Sequence, residues 1–263
     1  MAECIHGFDE GLCDVCFPRT PQPAARPART AAPRTPHSTA ATRSTAATRS
    51  TVTTRPAGTS GAPVSLRLPG RRVYHVTHLR TLESIALDGE LRADATPDVD
   101  VSSATTRELR ASATVPDGRS VASFVAFHLA QDSTRWQELR EGAAGSHWSD
   151  AARAARVNDF VILAAPVDAL GDDVVFVDGD AAGVAARFAP GLDVGTQALR
   201  RLHAVDPDFR DAELLAAGPV TLDAIAVVTV ANDRVRDAVR TVFANAGRRA
   251  PRIAVYPPAF ASD

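Results

Sequence analysis

From Pro18 to Pro69 the chain has almost no large apolar side chains and consists mainly of Pro, Thr, Ala, Ser and Arg. Thr39-Ala-Ala-Thr-Arg43, Thr45-Ala-Ala-Thr-Arg49 and Thr51-Val-Thr-Thr-Arg55 repeat within it at fixed spacing. Such a stretch cannot bury enough surface to offset its ordering entropy. The composition predicts a disordered cationic linker over 18–69, acting as a plain spacer or as a loose basic tether for nucleic acid. Folding is thereby confined to a short head, 1–17, and to a domain over 70–263.

All three cysteines lie in the head. Cys4, His6, Cys13 and Cys16 form C-x-H-x6-C-x2-C. Thiolate and imidazole ligands suit tetrahedral zinc, and the C-x2-C pair can clasp one side of the ion. A segment this short has no core, so metal would have to supply its folding energy. Gly7 and Gly11 offer tight turns. The pattern predicts a structural zinc knuckle with four ligands. Unligated reduced thiols and a redox pair are the other readings, the latter without a surrounding βαβ pattern.

Charge is unevenly spread. The net charge is −2. Pro18 to Pro63 holds seven Arg and no acid, and the head holds four acids and no base. The rest carries 22 Arg against 27 acids, so the domain is mildly acidic. Total charge thus points to neither a nucleic-acid binder nor a membrane-surface protein. The chain contains no Lys, so arginine abundance alone says little about phosphate binding. No apolar run approaches the roughly 20 residues of a membrane span, and no signal-peptide pattern opens the chain. The expected location is cytoplasmic.

Within the domain, β-branched and aromatic content predicts a strand over Arg71–His78. A helix over Leu79–Leu87 should follow, with Thr81 as N-cap and Gly89 beyond its end. Asp94 to Gly118 reads as polar and irregular, with a turn at Val115-Pro116-Asp117-Gly118. Val121–Leu129 reads as a buried strand or loop, Gln131–Glu141 as a loop or short helix, and Ser149–Arg156 as a short helix capped by Ser149. Phe160–Ala165 is a buried strand stopped by Pro166, and Val174–Val177 is another. Asp178-Gly179-Asp180 should turn into a helix over Ala181–Phe188, and Leu192–His203 into a further one. Phe209 to Val230 reads as a strand, a Gly218-Pro219 turn, a link and a second strand. Asn232 should cap a helix whose face is Val235, Ala238, Val239, Val242 and Phe243, before a last strand at Ile253–Val255.

The elements do not alternate as a doubly wound fold would require. No G-x-G-x-x-G follows a strand and no Walker motif is present. The fold class is α+β. Glu213 opens an apolar strand, where a carboxylate costs free energy unless a ligand or partner uses it; a solvated strand-end Glu is the plain alternative. His75 is open to both readings as well, as a ligand-binding histidine or a satisfied core one.

The order of motifs narrows the function. Tyr74-His75-Val76-Thr77-His78-Leu79 is followed by an Arg-bearing loop, Val115-Pro116 and Phe124-Val125-Ala126-Phe127-His128-Leu129. Val174–Ala182, Ala212-Glu213-Leu214-Leu215 and Leu222–Ile225 come after. This series resembles the DarT family, toxins that ADP-ribosylate thymidine in single-stranded DNA using NAD, over most of Arg72 to Val230. The resemblance implies an ADP-ribosyltransferase-like mixed sheet core with peripheral helices. It implies Glu213 as catalytic glutamate, with His75, Val76 and Thr77 holding the nicotinamide amide and its ribose. Arg110 is implied as the arginine that orients NAD, with Arg107 as runner-up. It further implies NAD as co-substrate, single-stranded DNA as target, and an antitoxin partner in a toxin–antitoxin or phage-defence setting. Where the family reads Y-V-P-F-Y-F, this chain has Phe124–Leu129, without the Pro or either Tyr. That departure motivates the alternative of a catalytically silent module that binds NAD, ADP-ribose or a partner.

Overall fold

The computed structural model describes residues 66–262. The head with Cys4, His6, Cys13 and Cys16, and the stretch expected to be a linker up to residue 65, lie outside the described residues.

Eight strands form one mixed sheet: β1 (Arg72–His78), β3 (Phe124–His128), β4 (Phe160–Pro166), β5 (Val174–Val177), β6 (Phe188–Pro190), β7 (Glu213–Ala217), β9 (Val227–Val230) and β10 (Arg252–Val255). Their order across the sheet is β10-β9-β4-β1-β3-β7-β5-β6. All neighbouring pairs are antiparallel except β9 with β10. A separate two-stranded piece pairs β2 (Glu90–Leu91) with β8 (Val220–Thr221).

Strand alternation sorts the core onto two faces. Val161, Leu163 and Ala165 of β4 and Leu214 and Ala216 of β7 enter the larger cluster. On that face pack α1 (Leu79–Asp88), α5 (Leu192–His203) and α6 (Asp233–Asn245), through Leu82, Leu199, Val239 and Phe243. Phe160 and Ile162 of β4 point the other way, against Trp136 and Leu139 of α3 (Thr134–Arg140) and Ala152 of α4 (Asp150–Ala154). Because β4 is buried on both faces, its sequence is a continuous apolar run rather than an alternating one. Burying each of its larger side chains, Phe160 to Leu163, contributes roughly 1.5–3 kcal/mol.

Several expectations needed revision. The Ala181–Phe188 helix does not form. Asp180 accepts from the Ala182 N–H, Gly183 closes a turn back to the Asp180 carbonyl, and the chain returns as β6 against β5. Glycine on both sides of Asp180 and pairing of the sheet edge outweigh the helical preference of alanine. The polar stretch Asp94–Gly118 contains α2 (Ala104–Ser112), capped by Ser103, whose side chain accepts from the Thr106 N–H. Thr106 is its one buried residue, so no apolar stripe marked it. His78, not Thr81, caps α1; Thr81 instead exchanges hydrogen bonds with the Val99 backbone. Gly89 does end α1 in the left-handed region, with its N–H donating to the Ile85 carbonyl. Ser149 and Asn232 cap α4 and α6 as expected.

The sheet has one seam. β1 pairs with β4 over seven residues and β3 with β7 over five, but β1 meets β3 at Tyr74 and His128 alone. From His75 onward the two strands part.

Candidate active site

A cavity of about 580 Å³ opens where β1 and β3 separate, and it contains His75, Val76, Thr77, Arg107, Arg110, His128, Arg135 and Glu213 in its wall. Register explains why a carboxylate lies there. Tyr74 of β1, His128 of β3, Glu213 of β7 and Val177 of β5 are successive cross-strand partners and form one row. Successive members of a row share a face. Glu213 therefore shares its face with the seam instead of entering the apolar cluster of Leu214 and Ala216. Its entry is fixed locally. Asp206 accepts from the N–H groups of Asp208 and Phe209, and Phe209, at φ 55°, is stacked on His203 with Arg71 over its ring. Leu129 N–H then donates to the Ala212 carbonyl, locking the strand start beside β3.

Glu213 is only 3% exposed. Burial raises its pKa above the usual carboxylate range, and the Arg110 guanidinium beside it pulls back down. Arg110 stands in the last turn of α2, and its Nη1 donates to Glu213 Oε2 at 3.2 Å. Arg107, one turn earlier, faces elsewhere: it pairs with Asp100 and donates to the Ser102 carbonyl. The two arginines weighed in the sequence are thus separated by their partners.

His75 spans the seam. Its Nδ1–H donates to the Ala126 carbonyl at 2.9 Å, where a backbone ladder bond would otherwise stand. This fixes the tautomer and leaves Nε2 as the ring's acceptor. Burial lowers the pKa of His75, so the ring stays neutral at neutral pH. Thr77, two residues on, is buried on the same wall.

Further groups in the wall carried no assigned role in the sequence. His128 faces Glu213 across β3 and β7, and burial depresses its pKa to about 3. Its Nδ1 is buried without a partner among the described residues. Arg135 of α3 lies over the Trp148 ring at 5.5 Å, and its Nη2 donates to Asp180 Oδ2 at 2.5 Å. The chain's two tryptophans, Trp136 and Trp148, both line this cavity. Their scarcity was the one available clue to this wall.

The fold recurs in solved structures. Thermus sp. 2.9 DarT in complex with ADP-ribosylated ssDNA superposes with a TM-score of 0.62 at 20% identity, over 73% of this chain and 97% of that one. The same protein in complex with NAD+ gives 0.59 at 20% identity, over 73% and 98%. Thermosipho africanus DarTG in complex with ADP-ribose gives 0.57 at 17% identity, over 72% of this chain and 51% of that one. No curated protein sequence matches the chain. The eight-stranded mixed sheet and its packed helices are thus the ADP-ribosyltransferase fold of these DarT structures. The family model "ssDNA thymidine ADP-ribosyltransferase, DarT" matches residues 74–261, and the chain belongs to the DarT family.

Proposed function

We propose that this chain transfers ADP-ribose from NAD+ to the thymine base of single-stranded DNA, with Glu213 and Arg110 as its catalytic pair. The observation that carries the reading is the 3.2 Å contact between a buried carboxylate and a guanidinium in the cleft that the sheet leaves open. Solved relatives hold NAD+ and ADP-ribosylated ssDNA, which supports the same pair of substrates here.

His75 and Thr77 seat the nicotinamide end, the imidazole Nε2 accepting and the hydroxyl able to do both. Glu213 accepts from a hydroxyl of the adjoining ribose and favours positive charge at the anomeric carbon as its bond to nicotinamide nitrogen breaks. Nicotinamide leaves with the bonding electrons. A ring nitrogen of thymine forms the new bond to that carbon and gives up its proton. Arg110 opposes the pull of burial toward a neutral Glu213 and can polarise the incoming base. The intact Glu213–Arg110 pair weighs against the silent-module reading.

Two finer assignments belong to this proposal. The enzyme acts as a toxin held in check by an antitoxin; the relation to a DarTG structure supports this. Cys4, His6, Cys13 and Cys16 hold one structural zinc, which their thiolate and imidazole chemistry supports. Metal analysis of the full chain should find about one zinc per chain, lost in a Cys13→Ser, Cys16→Ser variant. Unchanged metal content in that variant removes the knuckle.

The test of function is nicotinamide release from NAD+ with single-stranded oligonucleotides of each base and a control without DNA. Release that requires thymidine, with the mass of ADP-ribose added to the oligonucleotide, is expected. Release equal in all arms, or none in any, refutes the reading.

A further inference from the structure

Both proposed substrates bring phosphate anions into this cavity, the dinucleotide a pyrophosphate and the strand phosphodiesters, yet every arginine in its wall already has a carboxylate. Arg92 pairs with Asp94, Arg107 with Asp100, Arg110 with Glu213 and Arg135 with Asp180. A phosphate can be received only where one pair opens readily. Arg110 cannot leave without stranding a buried carboxylate. Arg107 is held by a backbone carbonyl besides its acid. Arg92 and Asp94 are an adjacent pair at the outer rim, open to water.

Arg135 differs on each count. Only its Nη2 is engaged, and its remaining guanidinium donors are neither buried nor bonded among the described residues. The Trp148 ring lies against the guanidinium and holds its plane without consuming a donor. Asp180 is half-exposed, so its freed oxygen can reach water when released, and its other oxygen keeps the Ala182 N–H bond. The Arg135 charge also reaches both Glu213 and His128, so it belongs to the reacting end of the cleft.

We infer that Arg135 is a phosphate-binding residue of this site, with Asp180 occupying the guanidinium until a substrate phosphate replaces it. The inference rests on the proposed transfer of ADP-ribose to DNA. The phosphate belongs either to the dinucleotide or to the DNA strand, and the guanidinium chemistry is common to both.

The experiment measures binding, not turnover, on the full chain. Tryptophan fluorescence titrates NAD+, and anisotropy of a labelled oligothymidylate titrates DNA at several salt concentrations. Arg135→Gln should weaken one of the two by about tenfold or more, leaving the other and the unfolding midpoint unchanged. If the strand is the ligand, the slope of log K against log salt should also shrink by about 0.7, one single-stranded phosphate. If the dinucleotide is the ligand, the NAD+ affinity falls and the DNA salt slope stays. Asp180→Asn removes the competitor and should tighten binding of that same ligand severalfold. Arg135→Lys, which keeps the charge without the fork, should fall between and serves if the Gln variant fails to fold. Parent-like affinities in Arg135→Gln overturn the inference. So does an Asp180→Asn variant that weakens binding as Arg135→Gln does, since the pair is then a structural strap. A parent protein that binds neither ligand overturns the functional reading itself.

Discussion

Replacing His128 with Gln should make the domain less sensitive to acid. Burial lowers the pKa of His128 from the usual 6.5 to about 3, so the folded state leaves it neutral where the unfolded chain protonates it. Between those two values the unfolded state binds one more proton at this residue. Stability therefore falls as pH drops, by about 1.4 kcal/mol per unit once well below 6.5. Integrated from pH 7.5 to pH 5, His128 alone should cost the parent roughly 2 kcal/mol. Gln is neutral throughout and removes that slope, whatever it does to stability at pH 7.5. His75 is shifted in the same direction and remains in both proteins, so the comparison isolates His128. Urea unfolding followed by the fluorescence of Trp136 and Trp148, the only two tryptophans and both buried, provides the assay. If the variant loses as much stability as the parent between pH 7.5 and pH 5, the imidazole is not held neutral by burial and the reasoning fails.

Other consequences can be checked alongside. Glu213→Gln keeps the shape but loses the charge; DNA modification should drop by at least about a hundredfold with the unfolding midpoint little changed, and an active variant would sink the assignment. Arg110→Ala takes away the cation that opposes burial, so any residual activity should lose its acid limb at higher pH than in the parent; Arg107→Ala, whose contacts are with Asp100 and Ser102, should leave the profile where it was. Phe260→Ala should destabilise by about 3 kcal/mol in urea, because Phe260 is buried edge-on against Trp136 beneath the cavity.

Much of the framework was legible because its signals are local. β4 shows itself as an apolar run, and α5 and α6 by helical spacing and, for α6, a capping Asn232. α2 was not legible, since a helix resting on the site with one buried threonine has no stripe to read. The phantom helix after Val177 had the opposite fault: alanines supply propensity, but sheet-edge pairing decides. Glu213, His75, Thr77 and Arg110 were named through a resemblance in motif order. What chemistry they face depends on contacts across long stretches of chain, such as the separation of 103 positions from Arg110 to Glu213. Arg135 had neither motif nor spacing to mark it, and His128 and Asp180 lay inside quoted motifs that assigned them no role, because what they face comes from how α3 and the β5–β6 connection fold over the seam.

That seam divides the labour of the sheet. His75 and Thr77 ride on the half built from β10, β9, β4 and β1, while Glu213 rides on the half built from β3, β7, β5 and β6. Each half has its own continuous pairing; along the seam the strands share one residue pair and the His75 imidazole, while on the far face one apolar cluster takes Leu163 and Val228 from the first half and Leu214 and Phe176 from the second. The gap between His75 and Glu213 is therefore set by that common core more than by ladder hydrogen bonds. Substitutions that reshape the core beneath the cleft should adjust the reach of the proposed chemistry as surely as changes in the site itself.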